Sequence, residues 1–236
     1  MIFPRIKKMI KAVTARLVLA VKFLPREIRA AFLIMGVEAA GRSMLSPRRL
    51  ISLYFHCSDP MLPQGCFVEC GVARGGSLAI MSFASAGKRS VWGFDSFEGM
   101  PQLTEEDKSD GEEWVGYRCS GPDGLREAQR TLKSFHAAGD WVKLVRGWFE
   151  DTLPPAVAGL APIAVLRLDN DWYESTRFCL ETLYASVAEG GLVIIDDYHT
   201  FIGCKTAVDE FRQKRGITSP MITTESCSEA YWRKLV

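Results

Sequence analysis

The 236-residue sequence has few of the residues that build a Cys/His metal site or a disulfide scaffold. It contains three histidines, and its seven cysteines are scattered without a CxxC pair. A zinc site of the Cys/His type is therefore not expected. The odd number of cysteines, several of them in apolar runs, favours reduced thiols and predicts a cytoplasmic protein.

The sequence also lacks a long uninterrupted apolar run, an internal repeat and a low-complexity segment. Basic residues interrupt the N-terminal apolar stretch at Arg16, Lys22, Arg26 and Arg29, so it falls short of the roughly 20 apolar residues that span a bilayer. The same charges, and the absence of a clear small-residue cleavage site, argue against a signal peptide. We expect neither a membrane span nor a nucleic-acid partner.

Net charge is low overall, at +1, but it is unevenly distributed. Residues 1–50 carry eleven Lys/Arg and two Glu, which makes this segment +9 and leaves −8 on the remainder. Within it, apolar residues near helical spacing predict a basic amphipathic helix; they are Ile6, Ile10, Val13, Leu17 and Val21. We predict a helical N-terminal extension over residues 1–60 that caps the body or forms a homo-oligomer contact. Peripheral contact with an anionic membrane is the alternative.

From residue 66 onward, short β-rich runs alternate with helical stretches, which is typical of a doubly wound α/β sheet. We predict one domain over residues 61–236. The predicted parallel strands are 66–70, 90–95, 141–145, 163–168 and 192–195, and 221–224 with 230–233 form an antiparallel pair. The predicted helices run to about 86, from 123 to 136, from 173 to 188 with a stop at Gly190-Gly191, and from 204 to 214.

Ligands bind such sheets beyond the carboxyl ends of the strands. The first strand ends in Glu69-Cys-Gly71-Val-Ala-Arg-Gly75-Gly76-Ser77, where glycines permit close approach of a ligand and the next helix offers free N–H groups. The spacing from Glu69 to the glycines suits S-adenosylmethionine (SAM) better than a dinucleotide. Gly71-x-Ala73-x-x-Gly76 nevertheless resembles the dinucleotide fingerprint loosely, so at this loop both cofactors remain open.

Two further strand ends add candidate cofactor ligands. Asp95, followed by Ser96, ends the second strand, and its carboxylate can accept both hydroxyls of a ribose from either cofactor. Trp148 follows the third strand and either stacks on adenine or packs in the core. These positions indicate a nucleoside-bearing cofactor without identifying it.

The fourth and fifth strands end in acidic residues. Asp169 and Asp171 follow the fourth strand, and Asp196 and Asp197 follow the fifth. Ionised carboxylates this close repel one another unless a cation lies between them, and clustered oxygen ligands favour Mg²⁺ or a related ion. Such an ion lowers the pKa of an acceptor hydroxyl that attacks the sulfonium methyl, whereas hydride transfer does not need it. Helix capping by Asp169 or Asp171 is the structural alternative.

Together these residues resemble the macrocin O-methyltransferase family over about residues 65–236. The motifs that carry the resemblance are Glu69-x-Gly71-x-x-x-Gly75-Gly76, Asp95-Ser-Phe-Glu-Gly99, Asp151-Thr-Leu-Pro154, Leu168-Asp-x-Asp-x-Tyr-Glu-Ser-Thr176, Gly190-Gly191 and Ile195-Asp-Asp-Tyr198. The resemblance implies a seven-stranded, mostly parallel class I methyltransferase sheet of Rossmann-like type. It also implies SAM as the cofactor, with Asp169 among the residues that bind it.

The resemblance also implies a divalent metal at Asp169, Asp196 and Asp197. Asp171 matches the second acid of the strand-four motif and is the candidate general base or an additional ligand. Catechol methyltransferases, which are more distantly similar, place a lysine three positions after the strand-four ligand; Trp172 stands there in this chain, which favours Asp171. His199 is the alternative base.

We therefore predict a metal-assisted, SAM-dependent O-methyltransferase acting on a small-molecule or glycan hydroxyl, first of all on a sugar. A phenolic or polyketide hydroxyl is the alternative acceptor. Two other classes stay open: an NAD-dependent oxidoreductase, which would bind NAD without a metal requirement, and a catalytically silent SAM- or sugar-binding module, which would show no turnover.

Overall fold

The computed structural model describes residues 24–108, 114, 117, 119–120, 123–160, 162–223 and 228–235. The amphipathic helix predicted from Ile6 to Val21 lies outside these residues. The helices are α1 (Arg26–Ala39), α2 (Pro47–Ser58), α3 (Gly76–Ser85), α4 (Gly124–Ser134), α5 (Phe149–Leu160), α6 (Tyr173–Leu183) and α7 (Ile202–Lys214). The strands are β1 (Cys66–Cys70), β2 (Val91–Asp95), β3 (Val142–Arg146), β4 (Ile163–Leu168), β5 (Val187–Ile195), β6 (Ile222–Thr223) and β7 (Ala230–Arg233).

The strands form one seven-stranded sheet in the order β3-β2-β1-β4-β5-β7-β6. Strands β1 to β5 pair in parallel, whereas β7 is antiparallel to both β5 and β6. The predicted fold class is confirmed. The chain order reverses between β1 and β4, and in sheets of this type ligands bind in the crevice at that point.

Helices cover both faces of the sheet, which explains why β1 and β4 are buried along their whole length. On one face α1 to α4 share a core, with Val37 and Leu50 fully buried in it; on the other face α5, α6 and α7 pack around Leu153 and Leu180. Helices α1 and α2 fall within the segment that the sequence assigned to an N-terminal extension. Among the described residues, none of the helices has the length and apolar character to cross a bilayer.

Two local predictions differ from the structure. The helix predicted to stop at Gly190-Gly191 ends at Leu183, and both glycines lie inside β5 instead. The pairing of β5 with β4 shifts register there, and Gly190 has φ +76°, so the glycines form a bulge and not a helix cap. Helix α5 was not predicted, because it carries Pro154 and Pro155, which ordinarily argue against a helix.

Candidate active site

The glycine-rich turn after β1 lies directly against the end of β4. Asp169 donates its N–H to the Cys70 carbonyl at 2.8 Å, which brings the two strand ends together. Gly71 has φ +93°, and a Cβ built there would lie 1.7 Å from the Asp169 carbonyl oxygen. Gly75 also has a left-handed backbone, at φ +83°, as the residue before α3. Glycine at position 71 is therefore required by the close approach of the turn to Asp169, whereas Gly75 lies against Ala128 of α4 and lines neither of the cavities described below.

We expect Gly71→Ala to destabilise the fold and to displace Asp169, because the new methyl group meets backbone that cannot move aside. Strain at a positive φ alone costs about 1–3 kcal/mol of unfolding free energy, and the clash adds to it. Gly190→Ala is the matched control, since Gly190 has φ +76° but no atom within 4 Å of the added Cβ. Urea unfolding of both variants measures the difference; equal losses would contradict the close approach.

Asp95 binds the same turn from the other side. One oxygen of its carboxylate accepts the N–H groups of Val72 and Ala73 at 2.7 and 2.8 Å, and the other accepts that of Phe97 at 2.6 Å. The carboxylate predicted to bind ribose thus also anchors the glycine turn. About one acceptor site remains for a ligand, because a carboxylate offers about four and these three N–H groups use three.

Two contiguous cavities open at these strand ends. The first, of about 490 Å³, lies within the usual size range of cofactor sites and contains five predicted cofactor residues; they are Gly71, Asp95, Ser96, Trp148 and Asp169. The second cavity, of about 230 Å³, contains the predicted Gly76 and Ser77 at the N-terminus of α3. Both cavities share Asp169 and Asp171, together with Met44, Ala73, Met100 and Cys119.

Glu69 is absent from the walls of both cavities, although the sequence predicts it as a cofactor ligand. It is fully buried and pairs at 2.7 Å with Arg167, the neighbouring residue in register on β4. Burial raises the pKa of Glu69 to about 8, although Arg167 acts in the opposite direction. The structure therefore places Glu69 in a buried ion network that supports the site.

Arg167 connects that network to the predicted metal ligands. Its guanidinium is 2.9 Å from a carboxylate oxygen of Asp169 and 2.7 Å from one of Asp196, and only 1% of the side chain is exposed. A buried guanidinium of this kind holds two acidic strand ends together. Leaving it without a carboxylate partner would destabilise the fold, because an unpaired buried charge is unfavourable. The sequence analysis did not select Arg167, although a charged residue inside an otherwise apolar strand is a recognisable signal.

The structure brings all four predicted aspartates to one place. Asp169, Asp171 and Asp197 each offer an oxygen within 4.8 Å of the others, which is a spacing that a metal ion can bridge. One oxygen of Asp197 is buried without a hydrogen-bond partner. Asp196 is engaged on both sides, by Arg167 and by Arg49 of α2. The group with metal spacing thus contains Asp171 where the predicted ligand set has Asp196.

The electrostatics of the cluster reflect crowded carboxylates. Burial, and then the charge of Asp169, raise the pKa of Asp171 to about 7. Burial, and then Asp171, raise the pKa of Asp197 well above its ordinary value, while burial raises that of Asp196 to about 7 against the opposing effect of Arg167. Burial also acts to raise the pKa of Asp169, but Arg167 and Arg49 outweigh it and the pKa is lowered. The raised pKa values of the other three aspartates mean that each of them favours a bound proton or a nearby cation.

We expect a pH-dependent stability that a divalent cation reduces. The pKa values of Asp171 and Asp196 rise from 3.8 to about 7, and that of Glu69 rises from 4.5 to about 8. At a pH between the pKa of these groups in the unfolded chain and their pKa in the folded chain, the folded chain binds more protons. The unfolding free energy therefore falls as pH rises from about 4 to 8. Melting curves in EDTA should show this fall and curves in Mg²⁺ a smaller one; the opposite slope in EDTA would contradict the assignment.

The two candidate bases, His199 and Asp171, lie in different surroundings in the structure. Asp171 lies on the wall shared by both cavities and has φ +60°, a conformation that is strained for most residues and that concentrates at functional sites. His199 is exposed and lines neither cavity. The turn after β5, in which Thr200 donates its N–H to the Asp197 carbonyl, carries it to the surface.

Asp107 is a buried residue of the acidic segment that follows β2, from Glu105 onward, and it lines neither cavity. One of its oxygens accepts the Tyr173 N–H at 2.9 Å at the start of α6, and the other accepts the N–H and hydroxyl of Thr104. A Cβ on Gly203 would lie 1.9 Å from Asp107. Asp107 therefore ties the acidic segment to the helix that follows Asp171. Thr104-x-x-Asp107 is a capping-box spacing, which was the available signal.

Comparisons with known proteins show which family the chain belongs to. The family model of macrocin-O-methyltransferase (TylF) matches residues 37–234. Demethyldecarbamoylnovobiocin O-methyltransferase of Streptomyces niveus is 36% identical over 176 residues, which are 72% of this chain and 66% of the relative. A tetracenomycin-C 4'-O-methyltransferase of Streptomyces olivaceus, whose full name specifies a 2,3-dimethoxy-alpha-L-rhamnosyl substrate, is 34% identical over 83% of this chain and 76% of its own.

Solved structures of methyltransferases are similar to this chain as well. The O-methyltransferase NovP is 34% identical with a TM-score of 0.72, and the match covers 83% of each chain. The calicheamicin methyltransferase CalS11 has a TM-score of 0.64 over 89% of this chain and 93% of its own, at 20% identity, and so supports the fold alone. The chain therefore belongs to the macrocin-O-methyltransferase family, as its motifs predicted, and is an O-methyltransferase of the SAM-dependent class.

Proposed function

We propose that this enzyme methylates a sugar hydroxyl, free or within a glycoconjugate, with the help of a divalent metal ion. The observation that carries the proposal is the position of the Asp169, Asp171 and Asp197 cluster. Two of these aspartates, Asp169 and Asp171, form part of the wall that the two cavities share, where the methyl group of the donor would meet the acceptor hydroxyl.

The first cavity suits the nucleoside part of SAM. Asp95 and Ser96 provide hydrogen-bonding groups at the end of β2, and Trp148, 37% exposed, stands at the rim where an adenine can stack. The methionine part would extend toward the N-terminus of α3, where Gly76, whose N–H donates to the Arg42 carbonyl at 3.1 Å, and Ser77 line the second cavity. A helix N-terminus favours a carboxylate, so this end of α3 would bind that of SAM.

The remainder of the second cavity suits the acceptor. Trp114 and Phe201 meet edge to face at 6.1 Å, and Tyr117 packs on Trp114 at 5.2 Å. Aromatic faces beside a group of carboxylates provide apolar contact and hydrogen-bond acceptors together, which is a combination suited to the CH and OH groups of a sugar. A phenolic or polyketide hydroxyl fits the aromatic wall as well and is the second candidate.

The carboxylates fit Mg²⁺ or a similar ion. Three oxygens at metal spacing and the unpartnered buried oxygen of Asp197 form a hard donor set, which suits Mg²⁺ better than zinc. Asp169, Asp171 and Asp197 would hold the ion. A divalent ion held there supplies charge that lowers the pKa of a neighbouring acceptor hydroxyl.

The chain's own residues then position the groups and move the proton. The Gly71 turn admits the donor close to Asp169, and Arg167 fixes the Asp169 carboxylate. Asp171, held at φ +60° between the two cavities, accepts the proton from the acceptor hydroxyl. Transfer of the methyl group from sulfur to that oxygen leaves a neutral thioether and completes the step.

Calorimetry with SAM and with NAD, each with and without Mg²⁺, tests this proposal together with a methyl-transfer assay. We expect SAM to bind, NAD not to bind, and labelled methyl from SAM to appear in glycosylated acceptors only when a divalent ion is present. NAD binding would favour an oxidoreductase; SAM binding without turnover on any glycan or phenol would favour a silent binding module. Transfer undiminished in EDTA would refute the metal's role.

Two predictions about the protein's surroundings belong to the same proposal, a cytoplasmic location and a homo-oligomer, and contact of the basic N-terminal segment with anionic membranes is the alternative role of that segment. The +9 charge of residues 1–50 supports the last of these. Light scattering and co-sedimentation with anionic vesicles measure the oligomer and the membrane contact directly.

A further inference from the structure

Helix α1 presents a row of large apolar side chains to solvent, which we call the α1 stripe. Ile28, Phe32 and Met35 are 43%, 53% and 61% exposed, and their spacing of i, i+4 and i+7 places them along one face of the helix. The opposite face holds α1 to the core through buried residues, which are Ala30, Leu33, Ile34 and Val37. Single exposed apolar residues are ordinary, but a continuous row indicates a contact surface.

The charges around the α1 stripe are acidic. Glu27 and Glu38 are exposed near the two ends of the helix, whereas its two arginines, Arg26 and Arg29, contact α3. Carboxylates beside the stripe attract a basic segment and repel the headgroups of an anionic membrane. The charges therefore favour a basic protein segment as the partner of this surface.

The chain carries such a segment directly before α1. Residues 1–23 contain six Lys/Arg and no Asp or Glu. The apolar face predicted for this segment follows steps of four, three and four residues, from Ile6 through Ile10 and Val13 to Leu17. The α1 stripe follows the same steps, from Ile28 through Phe32 and Met35 to Ala39. Two helices whose apolar rows share a period can pack along their whole length.

The connection between the segment and α1 has the length of a helical hairpin. Residues 22–25 separate Val21 from Arg26, and two to five residues commonly join two antiparallel helices. Pro25 has φ −48° and ψ 148°, an extended backbone, so α1 begins after it and the chain can reverse direction there. A helix over residues 6–21 would be about 24 Å long, and α1 is about 21 Å long, so the segment would reach along the whole stripe.

We propose that residues 6–21 form a helix that folds back along α1 and covers the α1 stripe. The basic segment then belongs to the body of the same chain, and neither a membrane nor a second copy is needed to cover this surface. The covered helix adjoins the second cavity, because the Arg42 carbonyl, just after α1, accepts the N–H of Gly76 at the start of α3. The inference goes beyond the proposed reaction and does not depend on its metal or its acceptor.

Limited trypsin digestion of the full chain, followed by intact-mass spectrometry, tests the inference. A docked segment is cleaved at Lys11 and Arg16 only when it opens, so the cleavage rate follows the open fraction. Ile28→Gln and Phe32→Gln remove apolar contacts from the stripe, and each should raise the rate of cleavage at these two sites about tenfold. Leu17→Gln, on the segment itself, should have the same effect.

Ile222→Gln is the matched control for Ile28→Gln, because Ile222 is 48% exposed on β6, at the far edge of the sheet. Its cleavage rate should equal that of the wild type. Equal rates in the wild type and the stripe variants overturn the inference. Two further measurements identify a different partner: protection that grows with protein concentration, with a dimer in light scattering, indicates a second copy, and protection only with phosphatidylserine vesicles indicates a membrane. Either result overturns it as well.

Discussion

The Asp197→Ala variant is expected to lose metal-stimulated methyl transfer while it still binds SAM. Asp197 contributes one of the three oxygens at metal spacing, and its second oxygen is buried without a partner, so the protein alone does not satisfy it. A Lewis-acid contribution of about 3 kcal/mol corresponds to about 100-fold in rate, and we expect kcat to fall by at least that factor. The dependence of the rate on Mg²⁺ concentration should disappear as well.

SAM affinity separates this effect from unfolding. Asp197 lies on the wall of the second cavity and is absent from the wall of the first, where the nucleoside would bind, so the Kd for SAM should change little. Asp140→Ala is the control, since this aspartate is exposed in the segment between α4 and β3 and should leave both properties intact. A fully active Asp197→Ala enzyme would rule out a metal mechanism at this cluster.

The strand ends of this fold could be predicted because each carries its own local signal. Gly71 and Gly75 mark a turn, Asp95 follows an apolar strand, and Asp169 and Asp196 each follow a buried one. Parallel strands bring their carboxyl ends to one edge, so the meeting of these residues follows from strand order alone. That is why the aspartate cluster was predicted in the right place without coordinates.

The residues that hold the cluster together could not all be predicted in this way. Arg167 and Glu69 are single charges inside buried strands, and their pairing follows once β1 and β4 are known to be neighbours in register. Arg49 is 147 positions from Asp196, and its exposed neighbour Arg48 looks identical in the sequence. Only the packing of α2 against the sheet distinguishes the two. The choice between Asp171 and His199 likewise needed the path of the turn after β5.

The Asp171→Asn variant is expected to lower kcat by about 100- to 10,000-fold, the usual contribution of a general base. The substitution keeps the size of the side chain, and asparagine tolerates a positive φ, so the backbone at φ +60° should be preserved. The variant loses the carboxylate on the wall shared by the two cavities, and with it the group that accepts the hydroxyl proton in the proposed reaction.

Magnesium titration of the rate distinguishes a base from a ligand at this position. If Asp171 were only a ligand, saturating Mg²⁺ would restore most of the activity of Asp171→Asn, because a weaker site can still be filled. A base lost from the shared wall of the two cavities is not replaced by more metal, so we expect kcat to stay low at every Mg²⁺ concentration. Glu174→Gln, three residues along and paired with Arg177 on the exposed face of α6, should behave as the wild type.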